Sequence, residues 1–405
     1  MQVLRRVHRG AFSAPALSSG LGPSQLSTQD RGFVAALVYG TLRFERALDA
    51  QLEPYLKRPD KLHPEIRDVL RLGAFELLYR KTPKHAAVGA WVAVAKTHHA
   101  RLAGLVNAVL RRLEPHDLPP ATAAGLPTWL YEDWVQRFGD ERARDIAEGM
   151  NAHDPLWLTS YHPQATHTLI AEGANVRLGP LEYTLEVQLG RPLAETQAFR
   201  NGWVQPQNPA STIPVRLLDV ASGERVYDLA SGNGIKAAQL AAAGANVTSI
   251  ELHGDKLARA AKNLARLGLK VTGLEYDLRT VPDLPPAPKV LLDAPCSGTG
   301  TLRGNPEIRS RVTPESVSDL AALQRDLLTT AAALTAPGGT LVYAVCALTR
   351  EEGPEMAAWF SQTFPAFEAE PFLFDVPSVN APEGSSILPL GGLDGFYISR
   401  FRRTG

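Results

Sequence analysis

The chain holds only two cysteines in 405 residues. Cys296 lies in "VLLDAPCSGTGTLRGNPEIRSR" and Cys346 in "GGTLVYAVCALTREE", each just after a short apolar run. A lone thiol is usually a small buried hydrophobe. Two thiols that both end apolar runs, one of them three residues past Asp293, instead suit a reactive pair, because a thiolate can add to an electron-poor carbon and later be expelled. There is no Cys-x-x-Cys and no nearby histidine with ligand spacing, so no metal is expected. Two cysteines cannot staple a chain of this length, and free thiols fit a reducing, cytoplasmic compartment.

The elements that would position these thiols begin near residue 212, where short apolar strands alternate with helices. "RVYDLA" leads into "GIKAAQLAAAG", "VTSIEL" into "DKLARAAKNLARLG", and "KVTGLEYD" through a loop to "KVLLDAP". The helical "ESVSDLAALQRDLLTTAAALTA" then precedes "GGTLVYAVC". Such alternation predicts an α/β fold with a parallel, doubly wound, Rossmann-like sheet. Ligands bind beyond the carboxyl ends of the strands in such sheets. If the fourth and fifth strands are neighbours, Asp293, Cys296 and Cys346 emerge together at that edge.

The first three strand ends describe a cofactor pocket. In "DLASGNGIKAA", Gly232 and Gly234 permit a tight turn and close backbone approach, and the helix that follows offers free N–H groups. The spacing is not that of a Walker loop. Glu251 closes the second strand about 20 residues on, where a carboxylate can accept both hydroxyls of a ribose. Asp277 closes the third, within reach of an adenine edge. Ribose and adenine fit NAD and S-adenosylmethionine alike, and the lack of a full G-x-G-x-x-G favours S-adenosylmethionine over a nicotinamide oxidoreductase.

A thiol beside a methyl donor has a specific use. The C5 carbon of a pyrimidine is a poor nucleophile until a thiolate adds at C6. Asp293 could hydrogen-bond the base at N3 and offset the charge that develops on the ring. Loss of the C5 proton then releases the thiol, and a second thiol could assist. Methylation of an exocyclic amine would instead call for a stacking aromatic after Pro295, where Cys296 stands. Residue chemistry alone leaves open which thiol attacks.

These segments resemble the Nop/Sun-type RNA 5-methylcytosine methyltransferases, in particular the bacterial RsmB type that modifies small-subunit ribosomal RNA. "DAPCSGTGTLRGNPEIR" and "LVYAVCALTREE" are similar to the family's two cysteine motifs, and "GWVQPQNPAS", "IELHGDKLARAAKNLARLGL" and "DGFYISRF" to further family segments in the same order. "LVYGTLRFERALD" and "HAAVGAWVAVAKTHHARLAGLVNAVLRRL" resemble the NusB-like RNA-binding domain of RsmB-type proteins.

The resemblance implies that Cys346 is the nucleophile, that Cys296 assists product release, and that Asp293 and Pro295 contact the base. It further implies S-adenosylmethionine held by Asp228, Ala230, Gly232, Gly234, Lys236, Glu251, Asp277 and Asp293, with Lys236 near both cofactor and base. Two departures stand out. The family writes its first motif AAPGGKT where this chain has "ASGNGIKA", and Val345 precedes Cys346 where the family prefers Thr or Ser. The altered glycine motif supports an alternative, an RNA-binding or ribosome-assembly factor with a weakened methyltransferase domain; retention of both cysteines and Asp293 opposes it.

The formal net charge is zero, yet residues 1–112 hold 18 Lys and Arg against 8 Asp and Glu, so the rest of the chain is acidic by the same margin. Clustered cations suit a phosphate-backbone partner, here ribosomal RNA presenting an unpaired or flipped cytosine, which leaves its stack cheaply. The first 30 residues are basic, but Val3, Leu4 and Val7 have helical spacing and read as a first domain helix. Amphipathic periodicity to about residue 115 predicts an all-α domain. "LEPHDLPPATAAGLP" reads as a linker, and a small α+β piece follows. The expected divisions are 1–117 for the all-α domain, 128–211 for the α+β piece and 212–405 for the catalytic domain, in a monomer. No apolar run approaches a membrane span.

Overall fold

The computed structural model describes residues 1–22 and 25–404. It divides into two compact units, Met1–Asn151 with Leu302–Arg311, and Ala152–Thr301 with Val312–Gly405.

The described residues of the first unit form helices and loops, with no strand among them. The helix Gln2–His8 buries Leu4 and Val7, as the spacing predicts. The apolar repeat over "GFVAALVYGTLRFERALDAQL" forms two helices, Thr28–Arg43 and Glu45–Leu52, broken at Phe44. Pro64–Leu78 is the central helix, burying Ile66, Val69, Leu70 and Leu72 against Val106, Val109 and Leu110 of the helix Ala103–Arg112. The helices Thr128–Phe138 and Asp140–Asn151 group with this unit and not with the sheet that follows them.

The segment Leu302–Arg311, in sequence part of the first cysteine motif, is also built into the helical unit. Glu307 accepts the backbone N–H of Ser13 at 2.8 Å, and Arg311 donates to the carbonyls of Val7 and Ala11, each at 2.6 Å. Arg309 is almost wholly buried and donates to the carbonyls of Arg43, Ala124 and Met150 and to Asn151 Oδ1. Buried carbonyls thus take the place of carboxylate partners.

The second unit carries two sheets. Strands β1 (Leu156–Ser160), β2 (Asn175–Leu178), β3 (Thr184–Gln188) and β4 (Val204–Pro206) pair in the order β2-β3-β1-β4, all antiparallel. The larger sheet holds β5 (Arg225–Leu229), β6 (Asn246–Glu251), β7 (Thr272–Glu275), β8 (Ala287–Asp293), β9 (Thr335–Val345), β10 (Phe367–Ala369), β11 (Ser378–Ala381), β12 (Gly384–Ile387) and β13 (Phe396–Arg403). Its order is β11-β12-β13-β9-β8-β5-β6-β7, with β10 also on β13. Strands β7, β6, β5, β8 and β9 are parallel neighbours, and β13 runs antiparallel to β9. The five predicted strands are all present, and a C-terminal antiparallel extension adds to them.

Strand alternation assigns the two faces. Leu229, Val290, Leu292, Leu341, Tyr343 and Val345 pack toward Leu327, Leu328 and Ala331 of the helix Pro314–Leu334. Val226, Leu291, Val342 and Ala344 pack toward Ile213 and Leu217 of Pro209–Leu218, and toward Ala237 and Leu240 of Ile235–Ala242. Residues at odd and even positions past a strand end therefore meet different helices.

Candidate active site at the carboxyl edge of the sheet

Register fixes the first relationship. Strands β8 and β9 are adjacent, with Asp293 opposite Ala344. Beyond them the chains stay zipped: Ala294 N–H donates to the Ala344 carbonyl at 3.0 Å and Gly300 N–H to the Cys346 carbonyl at 2.9 Å. Gly300 can have no side chain, since a Cβ there would lie 1.9 Å from the Gly395 carbonyl oxygen. The Sγ atoms of Cys296 and Cys346 come to 3.3 Å. Both are free and partly buried.

The two thiols face different chemistry. Asp293 shares parity with Leu291 and so points toward the helix Ile235–Ala242, where Lys236 Nζ meets Asp293 Oδ2 at 2.6 Å. Burial alone would push the Lys236 pKa down, but Asp293 outweighs it and holds the ammonium above its ordinary range, with Cys346 contributing. Lys236 also stands 5.5 Å from the Phe396 ring centroid. Cys346 packs on this face and Cys296 on the other.

Behind Cys296 is a carboxylate for which no role was expected. Glu352 is fully buried, and it accepts from Ser297 N–H at 2.8 Å, Ser297 Oγ at 2.5 Å, Thr349 Oγ1 at 2.7 Å and Gln324 Nε2 at 3.1 Å. Gln324 Nε2 also donates to the Pro295 carbonyl, and the single Tyr343 O–H is shared between the Glu352 carbonyl at 2.8 Å and Gln324 Oε1 at 3.0 Å. One carboxylate thus ties the loop after Cys296 to the loop after Cys346. Contact with Cys346, then burial, then the Glu352 charge, pushes the Cys296 thiol well above its usual pKa. The paired acids of "TREE" were the only sequence signal for Glu352. Val345 lies wholly buried among apolar side chains, where a hydroxyl would be out of place.

The turn after β5 forms despite its altered sequence. Ala230, Gly232 and Gly234 all have positive φ, at 54°, 56° and 72°, and Gly234 N–H closes the turn on the Ser231 carbonyl at 2.9 Å. A Cβ on Gly234 would strike Ala260 at 2.8 Å, whereas one on Gly232 would meet nothing within 4 Å. Glu251 folds back on this turn, accepting Gly232 N–H at 2.9 Å and His253 N–H at 3.1 Å, with Lys256 Nζ at 3.2 Å. Asp228 lies beneath the turn, fully buried, and no side chain hydrogen-bonds its carboxylate, with the Ala237 backbone N–H beside it. Burial, with Asp293 nearby, raises its pKa to about 7.

Asp277 stands two residues past the end of β7 and not at the strand end. It forms a local clamp with Arg279, whose N–H and guanidinium hold the carboxyl down to about 2. The structure therefore gathers Asp293, Lys236, Cys296 and Cys346 into one cluster, sets Asp228, Ala230, Gly232, Gly234 and Glu251 in and around the glycine turn, and leaves Asp277 more exposed.

Known proteins match both parts of the chain. The family model for 16S rRNA methyltransferase RsmB/F covers residues 215–402, and that for the NusB family covers residues 1–115. The chain is 44% identical to the ribosomal RNA small subunit methyltransferase B of Thermus thermophilus over 405 residues, spanning 99% of this chain and 96% of the relative. With the Pseudomonas putida protein of the same name, identity is 32% over 95% of this chain and 94% of the relative. Among solved structures, that of PH0851 aligns with a TM-score of 0.85 at 22% identity, covering 99% of this chain and 96% of that one. The structure of NSun6 from Pyrococcus horikoshii with SFG aligns at 0.62 and 20% identity, over 70% of this chain and 99% of the other.

Proposed function

The chain belongs to the RsmB/F family of 16S rRNA methyltransferases, an S-adenosylmethionine-dependent family, and we propose that it forms 5-methylcytosine in small-subunit ribosomal RNA through a covalent bond from Cys346 to C6 of the base. The observation that carries this reading is the asymmetric thiol pair: two sulfurs 3.3 Å apart, one backed by the Glu352 carboxylate and the other on the Lys236 face.

The residues at the glycine turn fit S-adenosylmethionine. Asp228 is a buried carboxylate that no side chain hydrogen-bonds, Gly232 is open above, and Glu251 is fixed by two backbone N–H groups. Asp228, Ala230, Gly232, Gly234 and Lys236 would hold the cofactor along the turn, with Asp293 beside them, Glu251 at its ribose and Asp277 at its adenine. When bound, the cofactor supplies an electrophilic methyl group.

The chain's own residues do the rest. Cys346, having lost its proton to solvent, gives an electron pair to C6, and the C5–C6 π pair shifts onto C5. The Lys236 ammonium, held by Asp293, supplies the proton and positive charge that offset the negative charge developing at N3, with Asp293 bridging it to the ring and Pro295 against the base. The likeness of the two cysteine motifs to those of the family, with Cys346 on the Lys236 face, gives the attack to Cys346 and release to Cys296. Once C5 carries the methyl group, the Cys296 thiol relays the C5 proton, taking it on sulfur as its own S–H proton passes to solvent. The C–H pair restores the double bond, and the S–C6 pair returns to Cys346.

The base reaches this site flipped or unpaired, and the basic NusB-like residues 1–117 supply phosphate contacts. Residues 128–151 belong with the helical unit, and 152–211 lead in sequence to the catalytic residues 212–405, in a cytoplasmic monomer. Among the described residues no helix is long and apolar enough to cross a membrane. Bisulfite mapping of 16S rRNA from cells carrying Cys346→Ala tests the reading. One cytosine loses its modification if it is right, and an unchanged map contradicts it.

A further inference from the structure

A second cluster of titratable side chains stands in the helical unit, apart from the chemistry above. His63 caps the helix Pro64–Leu78, Glu65 lies in that helix's first turn, and His99 is the last residue of Lys84–His99. One ligand atom from each comes within 4.8 Å of the other two. The His63 and His99 rings stand 4.0 Å apart, and His99 Nε2 lies 2.8 Å from Glu65 Oε2. His98 Nδ1 is 3.8 Å from the same oxygen.

We propose that His63, Glu65 and His99 bind one borderline divalent transition-metal ion of the zinc class, with His98 or water in the fourth position. Two imidazoles and a carboxylate suit such an ion better than magnesium or calcium, which prefer oxygen. Tetrahedral coordination at about 2.0–2.1 Å sets ligand atoms roughly 3.4 Å apart. The three groups sit at helix ends, with His63 exposed and the others half-buried, so side-chain rotation closes the remaining distance.

Two features prepare the site. Glu65 Oε1 is paired with Arg5, which orients the carboxylate so that Oε2 faces the histidines, as an outer partner orients a ligand in metal centres. The carbonyl end of Lys84–His99 carries partial negative charge beside the ion. Coordination replaces the 2.8 Å contact between His99 Nε2 and Glu65 Oε2 with bonds from both to the ion, and His63 Nδ1 is held by Glu65 N–H at a long 3.3 Å. The bound ion would clip the start of one helix to the end of another.

The test uses the full-length protein, stripped with a chelator and titrated with Co2+ and then Zn2+. The expected result is one equivalent of four-coordinate Co2+, seen by its visible absorption and displaced by one equivalent of Zn2+, with a raised thermal midpoint. His63→Ala and His99→Ala each weaken binding at least tenfold and abolish the thermal shift, with helical circular dichroism unchanged. His85→Ala, an exposed histidine of the same helix, changes neither. Absence of binding overturns the proposal, as does a signal that survives both histidine variants, including one carried by the two thiols.

Discussion

The sulfurs of Cys296 and Cys346, 50 residues apart in sequence, stand 3.3 Å apart across two neighbouring parallel strands. Their surroundings differ: Cys296 is pressed against the side that holds Glu352, and Cys346 against the side that holds Lys236. The proposed division of labour between the two thiols rests on that difference.

Glu352 is the fastener of that arrangement. Replacing it with Ala takes the acceptor from three donors, Ser297 N–H, Ser297 Oγ and Thr349 Oγ1, while Gln324 Nε2 keeps the Pro295 carbonyl, and each such lost group costs about 1–3 kcal/mol. Glu352→Ala is expected to destabilise the α/β unit by on the order of 3 kcal/mol and to lower methylation at least tenfold with S-adenosylmethionine binding retained. Denaturant unfolding and equilibrium dialysis measure the two effects. Methylation at the wild-type rate would show that the two loops hold their positions without it.

Asp228 gives a pH signature. Its folded pKa is raised to about 7 by burial and Asp293, so between roughly pH 4 and 7 the folded chain keeps a proton that the unfolded chain has lost. Stability contributed by this group therefore falls as pH rises through that window. Asp228→Asn is expected to be more stable than wild type at pH 8, by on the order of 3 kcal/mol, and equal to it near pH 4. It should also bind S-adenosylmethionine more weakly. Unfolding curves at several pH values check this, and a pH-independent difference would speak against it.

Arg309 makes a prediction for the helical unit alone. Its guanidinium is buried among three carbonyls and Asn151, and burial, with Arg43 nearby, pushes its pKa down to about 9. Arg309→Met removes the charge but leaves those acceptors unsatisfied, for an expected loss on the order of 3 kcal/mol. Unfolding followed by helical circular dichroism is the measurement. A variant as stable as wild type would mean that the surrounding backbone relaxes to pair its carbonyls.

Much of this was legible in the sequence because it rests on period and register. Alternation of short apolar strands with helices yields β5 to β9 and brings Asp293, Cys296 and Cys346 to one edge. What escaped depends on burial of polar side chains, which carries no periodic signal. Arg303 and Arg309 look like exposed cations in "TLRGNPEIRSR" yet are among the largest fully buried side chains. Glu352 looks like one of two surface acids. Asp277 was expected at a strand end, but β7 stops at Glu275. His63 and His99 are joined only by helix packing, at a separation no motif records.

The central claim is the assignment of attack to Cys346 and release to Cys296. Incubating a 16S rRNA substrate and S-adenosylmethionine with Cys296→Ala, followed by denaturing electrophoresis, tests it directly. A stable protein–RNA adduct should accumulate with this variant and be absent with Cys346→Ala and with the double variant. An adduct that forms with Cys346→Ala and not with Cys296→Ala would reverse the assignment and contradict the account.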